Sequence, residues 1–233
     1  MSRHPRILVT GASARVGRAT ALALAERGLD LILTFHSSGE ACRRTADMCR
    51  DRATRDIDVR VLELHLESER SVLDVCDEIL AIGVDGVVHN ASEYHTTPLE
   101  DLDFSNLDRL LRVNAIAPLV MSSRLAPALR ESCLAGGGSI VFLGDIHAMG
   151  APRLGFSGYL ASKGAVERVV ESLAIELAPK VRVNGIAPGV VAFAEGEMTF
   201  EQETAYVSRI PLGRSGTLEE AGRAIIWLLL DAT

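Results

Sequence analysis

Arg6-Ile7-Leu8-Val9-Thr10-Gly11-Ala12-Ser13-Ala14-Arg15-Val16-Gly17 is the stretch on which the fold turns. A short β-branched and leucine-rich run passes straight into a turn with spaced glycines. An Ala- and Leu-rich segment, Val16 to Arg27, follows and is closed by Gly28. That order predicts strand, tight turn and helix. Gly11 permits the turn, Gly17 lets the helix approach the strand, and the unpaired N–H groups at the helix start can hold a pyrophosphate.

Working outward, the same alternation runs the length of the chain. Strands are predicted at Arg6 to Thr10, Leu29 to Phe35, Val59 to Leu66, Gly86 to Asn90, Ser139 to Leu143 and Val181 to Ile186. Between them Glu40 to Asp51, Glu69 to Ile82, Phe104 to Leu134, Gly158 to Leu177 and Leu218 to Leu230 read as helices. Pro118 and Pro127 break or kink the longest of these. Continuous apolar strands, each followed by a helix, imply an α/β fold: a single Rossmann-like, doubly wound parallel sheet with helices on both faces. No linker or repeat interrupts residues 1–233, which read as one domain. Such a sheet binds ligands at the carboxyl ends of its strands, where strand order reverses.

The formal net charge of −7 offers little to nucleic acid or anionic membranes. The four cysteines, Cys42, Cys49, Cys76 and Cys133, have neither C-x-x-C spacing nor clustered histidines, so no metal and no thiol redox pair is expected. The N-terminus leaves no room for a signal-peptide apolar region, and no apolar run is long enough to span a bilayer. A reduced, cytoplasmic protein acting on a small molecule is the expectation.

A dinucleotide fold selective for NAD places a carboxylate after the second strand, on the ribose 2′-hydroxyl. Here that strand ends Thr34-Phe35-His36-Ser37-Ser38. Arg15 can swing toward the same corner, and with His36, Ser37 and Ser38 it offers donors for a 2′-phosphate. NADPH is therefore the expected cofactor.

Tyr159 and Lys163 stand four residues apart in a chain with three tyrosines and two lysines against 22 arginines. With Thr10-Gly-x-x-x-Arg15-x-Gly17, His89-Asn90-Ala91-Ser92, Asn114, Tyr159-x-x-x-Lys163 and Asn184-Gly-Ile-Ala-Pro188-Gly189 in this order, the chain resembles a short-chain dehydrogenase/reductase over essentially its whole length. The resemblance implies that Gly11, Ser13, Arg15, Val16, Gly17, His36, Ser37, Ser38, Leu66, Asn90, Ala91, Ser92, Tyr159, Lys163, Pro188 and Gly189 hold the cofactor. It also implies that Tyr159 exchanges the proton that accompanies hydride transfer and that Asn114 holds a water linking Lys163 to solvent. A lysine one helical turn from the tyrosine stabilises the phenolate and is expected to lower its pKa.

Within the superfamily the chain is most similar to the pteridine and dihydromonapterin reductases. They share the arginine of the first motif, the aromatic-His-Ser end of the second strand, and Asn-Ala-Ser before an aromatic and Thr-Pro-Leu, here Tyr94 and Thr97-Pro98-Leu99. They also carry an aspartate, here Asp145, where most relatives have a serine. The resemblance gives Asp145 a catalytic role and makes Tyr94, Asp145 and Tyr159 the substrate contacts for a pterin-like ring. A carbonyl reductase of the 3-oxoacyl or sugar-alcohol type is the alternative, and a non-catalytic NADP-binding scaffold stands behind both. Departures from the wider superfamily are His65, where an aspartate commonly meets adenine, and the missing threonine beyond Pro188-Gly189, which the pteridine reductases lack too. The chain ends at Asp231-Ala-Thr233, where relatives usually continue into another strand. Residues 190–210 are expected to form a mobile substrate flap, and Asp145 could instead serve only to cap the segment after it. A homotetramer built on the 104–134 and 158–177 helices is implied.

Overall fold

Leu8, Ile32, Val87, Ile140 and Val183 pack on one side of a sheet, and Ile7, Val9, Leu31, Leu33, Val88 and Val141 on the other. Successive strand residues face opposite ways, so a continuous apolar strand has two faces to bury. In the computed structural model, which describes residues 4–150, 152–193 and 199–232, both faces are covered. The strands are β1 (Arg6–Val9), β2 (Asp30–Phe35), β3 (Val59–Glu63), β4 (Gly86–His89), β5 (Gly138–Leu143) and β6 (Val181–Ile186). All pair in parallel in the order β3-β2-β1-β4-β5-β6. The order reverses between β1 and β4, which puts the ligand crevice above their carboxyl ends.

Helices α1 (Arg15–Glu26), α2 (Gly39–Arg52) and α9 (Leu218–Ile226) cover one face, burying Leu24, Cys42, Cys49 and Ile225. On the other, α3 (Glu69–Ile82), α5 (Ala117–Arg130) and α7 (Ser157–Leu177) bury Cys76, Ile79, Met121, Leu125 and Val166. Each large apolar side chain fully withdrawn from water contributes about 1.5–3 kcal/mol. The sheet therefore holds the strand ends, and the crevice, rigidly.

The predicted strands match within a few residues. The largest difference is β3, which stops at Glu63 rather than Leu66; only the Leu64 N–H still reaches across, to the Phe35 carbonyl at 2.8 Å. The predicted 104–134 helix divides into α4 (Phe104–Leu111), a wide π turn over Arg112–Ile116, and α5. The break precedes Pro118. Proline has no N–H to give the Asn114 carbonyl in an α pattern, so the turn is released upstream of it. A second π turn, Trp227–Asp231, ends α9 early. Sequence periodicity did not find α6 (Ile146–Met149) or α8 (Phe200–Val207). The first is a single turn, and the second begins at Thr199, whose side chain and that of Gln202 form a reciprocal cap. Of the expected 190–210 flap, residues 194–198 lie outside the described residues. No described helix is long and apolar enough to cross a membrane.

Candidate active site

The crevice is built on a staple between β1 and β4. Thr10 Oγ1 accepts from the N–H groups of Asn90 and Ala91, both at 3.0 Å, and Asn90 Nδ2 donates to the carbonyls of Thr10 and Gly11 at 2.8 and 3.1 Å. Asn90 is thus a brace for the glycine turn. Gly11 takes φ +68°, and a Cβ on Gly17 would lie 2.3 Å from the Gly11 carbonyl oxygen, so no side chain fits there. Ala14 precedes α1 in extended conformation and gives no side-chain cap, and the first turn of α1 holds no acidic residue. The leading N–H groups of α1 therefore have no partner within the helix and suit a pyrophosphate. Beside them a hollow of about 250 Å³, lined by Gly11, Phe35, His36, Leu66, Ala91 and Val113, suits an adenine ring. These features fit a dinucleotide.

One expectation at this end changes. Arg15 sits in the left-handed region at φ +50° and donates to the Val191 and Ala192 carbonyls at 3.3 and 2.8 Å. It therefore reaches the catalytic side of the crevice rather than the 2′-phosphate corner. Arg18 lies beside the end of the second strand: its guanidinium holds the Ser13 carbonyl and donates to Thr45 Oγ1 at 3.2 Å, and Ser13 Oγ donates to Ser38 O at 3.3 Å. Sequence reading passed over Arg18, whose signal is its place in the first turn of α1. Val16 packs partly into the core. Ser37 is exposed on the turn into α2. Glu67 also reaches this end, pairing with His36 Nε2 at 3.1 Å and with His65 Nδ1 at 3.4 Å. His65 pairs further with Glu63 at 2.9 Å, a bond that raises the His65 pKa. His36, His65 and Glu67 place one donor atom each within 4.8 Å of one another, the single such group among the described residues able to hold a metal.

At the far end, a cavity of about 610 Å³ brings together Arg15, Asn90, Ser92, Tyr94, Asp145, Tyr159, Lys163, Pro188 and Gly189. Tyr159, from the first turn of α7, donates its hydroxyl to Asp145 Oδ2 at 2.7 Å. The other oxygen of Asp145 accepts from the His147 N–H at 2.8 Å and caps α6, so the aspartate both caps and faces the tyrosine. Burial first, and the Asp145 carboxylate second, push the Tyr159 pKa well above the ordinary phenol value. The expected lowering by Lys163 is not what the geometry gives. Lys163 Nζ donates to the Leu143 carbonyl at 2.8 Å, and its own pKa is pushed down to about 8 by burial. Tyr159 is held as a neutral donor.

Asn114 stands in the π turn. Its side-chain oxygen accepts from Glu93 N at 2.8 Å and Ser92 Oγ at 3.1 Å, while Nδ2 donates to Glu93 O at 3.0 Å and Ser162 Oγ at 2.9 Å. Ser162 Oγ in turn donates to the Tyr159 carbonyl at 2.6 Å. The Asn114 side chain thus ties the segment after β4 to α7, and Ser162, buried and missed by the sequence reading, is the link. Thr97 acts on the same helix: its Oγ1 accepts from the Gly158 N–H at 2.9 Å. Tyr94 stacks on Phe156 at 5.2 Å and meets Tyr159 edge-on at 4.9 Å. A larger adjoining cavity of about 1270 Å³, lined by His147, Arg153, Tyr206 and Arg209 among others, continues from this point.

A family model described as enoyl-(acyl carrier protein) reductase matches residues 11–233. The chain is 30% identical to a glucose 1-dehydrogenase of Gluconobacter oxydans, over 97% of its own length and 85% of that protein's. It is also 30% identical to a 3-oxoacyl-[acyl-carrier-protein] reductase of Aquifex aeolicus, over 95% and 88% of the two lengths. Among solved structures, an acetoin dehydrogenase from Enterobacter cloacae superposes with a TM-score of 0.86 at 27% identity, covering 100% of this chain and 90% of that one.

Proposed function

Because the chain belongs to the short-chain dehydrogenase/reductase superfamily of oxidoreductases, we propose that it is an NADPH-dependent carbonyl reductase of the sugar-alcohol or 3-oxoacyl type, with Tyr159 as proton donor. The observation that carries this reading is the convergence of Tyr159, Lys163 and Asp145 with Asn90, Arg15 of the glycine turn and Pro188-Gly189 on one cavity at the carboxyl ends of the strands. The sugar, acetoin and 3-oxoacyl enzymes it resembles support a carbonyl substrate over the pterin expected from the Asn-Ala-Ser and aspartate motifs. The nicotinamide, when bound, supplies hydride to the carbonyl carbon. The Gly11 turn and the uncapped start of α1 would hold the pyrophosphate, with Gly17 letting the helix lie close to the turn. Arg18, with Ser13 and Ser38, favours a cofactor bearing a 2′-phosphate.

Tyr159, kept protonated by its surroundings, donates to the substrate oxygen in place of Asp145 and gives up its proton as negative charge gathers there. In the ligand-free protein Lys163 Nζ is turned to the Leu143 carbonyl; once Tyr159 has given up its proton, this ammonium, lining the same cavity, is the cation placed to offset the phenolate. Exposed Phe104, Leu119 and Ile175, on α4, α5 and α7, support assembly through those helices.

A second reading, a pterin-like ring, is favoured by Asp145 alone. A carboxylate only accepts hydrogen bonds, which suits a substrate edge presenting N–H groups better than a carbonyl oxygen. NADPH oxidation by purified protein separates the two. Turnover is expected with a sugar aldehyde or an acetoacetyl thioester, and faster with NADPH than with NADH. Turnover of dihydrobiopterin with none of either carbonyl would overturn the first reading.

A further inference from the structure

Arginines in this chain are mostly tied to carboxylates. Arg109 holds both oxygens of Glu93 at 3.0 and 2.8 Å, and Arg214 holds both oxygens of Glu220 at 2.8 and 2.6 Å. Arg153 and Arg209 are exceptions: among the described residues neither has a carboxylate oxygen within 4.0 Å. Both line the larger cavity beyond Tyr159. Arg153 also lines the cavity that holds Tyr159 and Lys163.

Aromatic rings, rather than counter-charges, are their close neighbours. The Arg153 guanidinium lies 4.5 Å from the Phe156 ring centre and 6.0 Å from that of Tyr206, and Nη1 donates to the Tyr94 hydroxyl at 2.5 Å. Arg209 lies 5.2 Å from the same Tyr206 ring, whose hydroxyl pairs with His147 Nε2 at 2.9 Å. Two guanidinium groups therefore flank one ring. Stacking orients a guanidinium without neutralising it and leaves N–H groups able to meet a planar or tetrahedral anion in bidentate fashion. In a chain of net charge −7, a cavity with two cations of this kind selects for negative charge.

We infer that the substrate carries an anionic group, a carboxylate or a phosphate monoester, which Arg153 and Arg209 hold while its carbonyl faces Tyr159. This rests on the reductase reading of the same site, and the test separates the two. Binding is measured by calorimetry on protein saturated with NADPH, using succinate and inorganic phosphate as probes for the carboxylate and phosphate sources. Turnover is measured with a 3-oxo acid against its methyl ester and with a sugar phosphate against the free sugar.

At least one probe is expected to bind the wild type and to weaken about 10- to 100-fold in Arg153→Met with Arg209→Met, the change expected when a charge-assisted pair is lost. The anionic member of one substrate pair is expected to be preferred, with the preference collapsing in the double variant through KM rather than kcat. Partial recovery in Arg153→Lys with Arg209→Lys separates lost charge from lost packing. Failure of both probes to bind the wild type, or binding that survives both methionine substitutions, overturns the inference. Probe binding that depends on the arginines without turnover of any carbonyl supports the anion site and sinks the reductase reading instead.

Discussion

Replacing Tyr159 by Phe is expected to lower kcat for reduction by about 10²- to 10⁴-fold, the range for loss of a positioned general acid. The substitution is mild for the fold. Tyr159 is 5% exposed and meets Tyr94 and Phe156 edge-on at 4.9 and 6.3 Å, contacts that a phenylalanine ring keeps. What disappears is the hydroxyl that donates to Asp145 at 2.7 Å. Melting should show a stability loss of about 1 kcal/mol, as for one hydrogen bond.

The environment of Tyr159 also fixes a pH dependence. Burial and the Asp145 carboxylate both favour the neutral phenol. A wild-type reductase therefore keeps its acid at and beyond the ordinary phenol pKa. Asp145→Asn removes the charge that holds the proton in place, so the phenolate absorbance of Tyr159, read as the difference from a matched Tyr159→Phe protein, should appear at lower pH than in the wild type. Rate is not the readout, because Lys163 titrates at about 8. Onset at the same pH in both proteins would show that Asp145 does not govern this tyrosine.

Lys163→Met is the second large effect, with opposite consequences for rate and stability. Loss of the ammonium that stabilises the phenolate should reduce kcat/KM by about 10²- to 10³-fold, comparable with removing a preorganised donor. The ligand-free fold should gain. Burial depresses the Lys163 pKa from 10.5 to about 8, so the folded state binds its proton less tightly than the unfolded chain does. The cost of the buried charge is present in full below pH 8 and is relieved as pH rises from about 8 to 10.5. Against that stands the lost bond to the Leu143 carbonyl at 2.8 Å. The variant should be more stable than the wild type by about 1–2 kcal/mol at pH 7, with the difference shrinking across that window. Denaturant melts at pH 7 and pH 10 measure both. A variant less stable than the wild type at pH 7 would contradict the depressed pKa.

The sheet was legible because parallel strands covered on both faces must be apolar throughout, and each ends in a turn whose residues differ from it. Gly11 and Gly17 located the nucleotide end for the same reason: the packing there admits nothing larger. Side-chain direction was not legible. Arg15 occupies the motif position expected of it, yet its left-handed backbone aims the guanidinium at residues 191–192, and Arg18 one turn on lies beside the end of the second strand instead. The Tyr159–Lys163 spacing found the pair and the resemblance added Asp145, 14 residues upstream; that its carboxylate takes the tyrosine's own hydroxyl proton was not legible. Arg153, Tyr206 and Arg209 come from loops and a short helix whose meeting is a matter of tertiary contact, with no periodic signal along the chain.

Transfer of deuterium from NADPH labelled at both hydrogens of the nicotinamide C4 tests the central claim most directly, because it follows the hydride itself and the Tyr159→Phe comparison reads the need for the proton donor. With wild-type protein and a reducible carbonyl, the label is predicted on the new carbinol carbon in proportion to cofactor oxidised, and Tyr159→Phe should slow its appearance by about 10²-fold or more. Unlabelled product, or labelled product formed by Tyr159→Phe at the wild-type rate, would contradict the account.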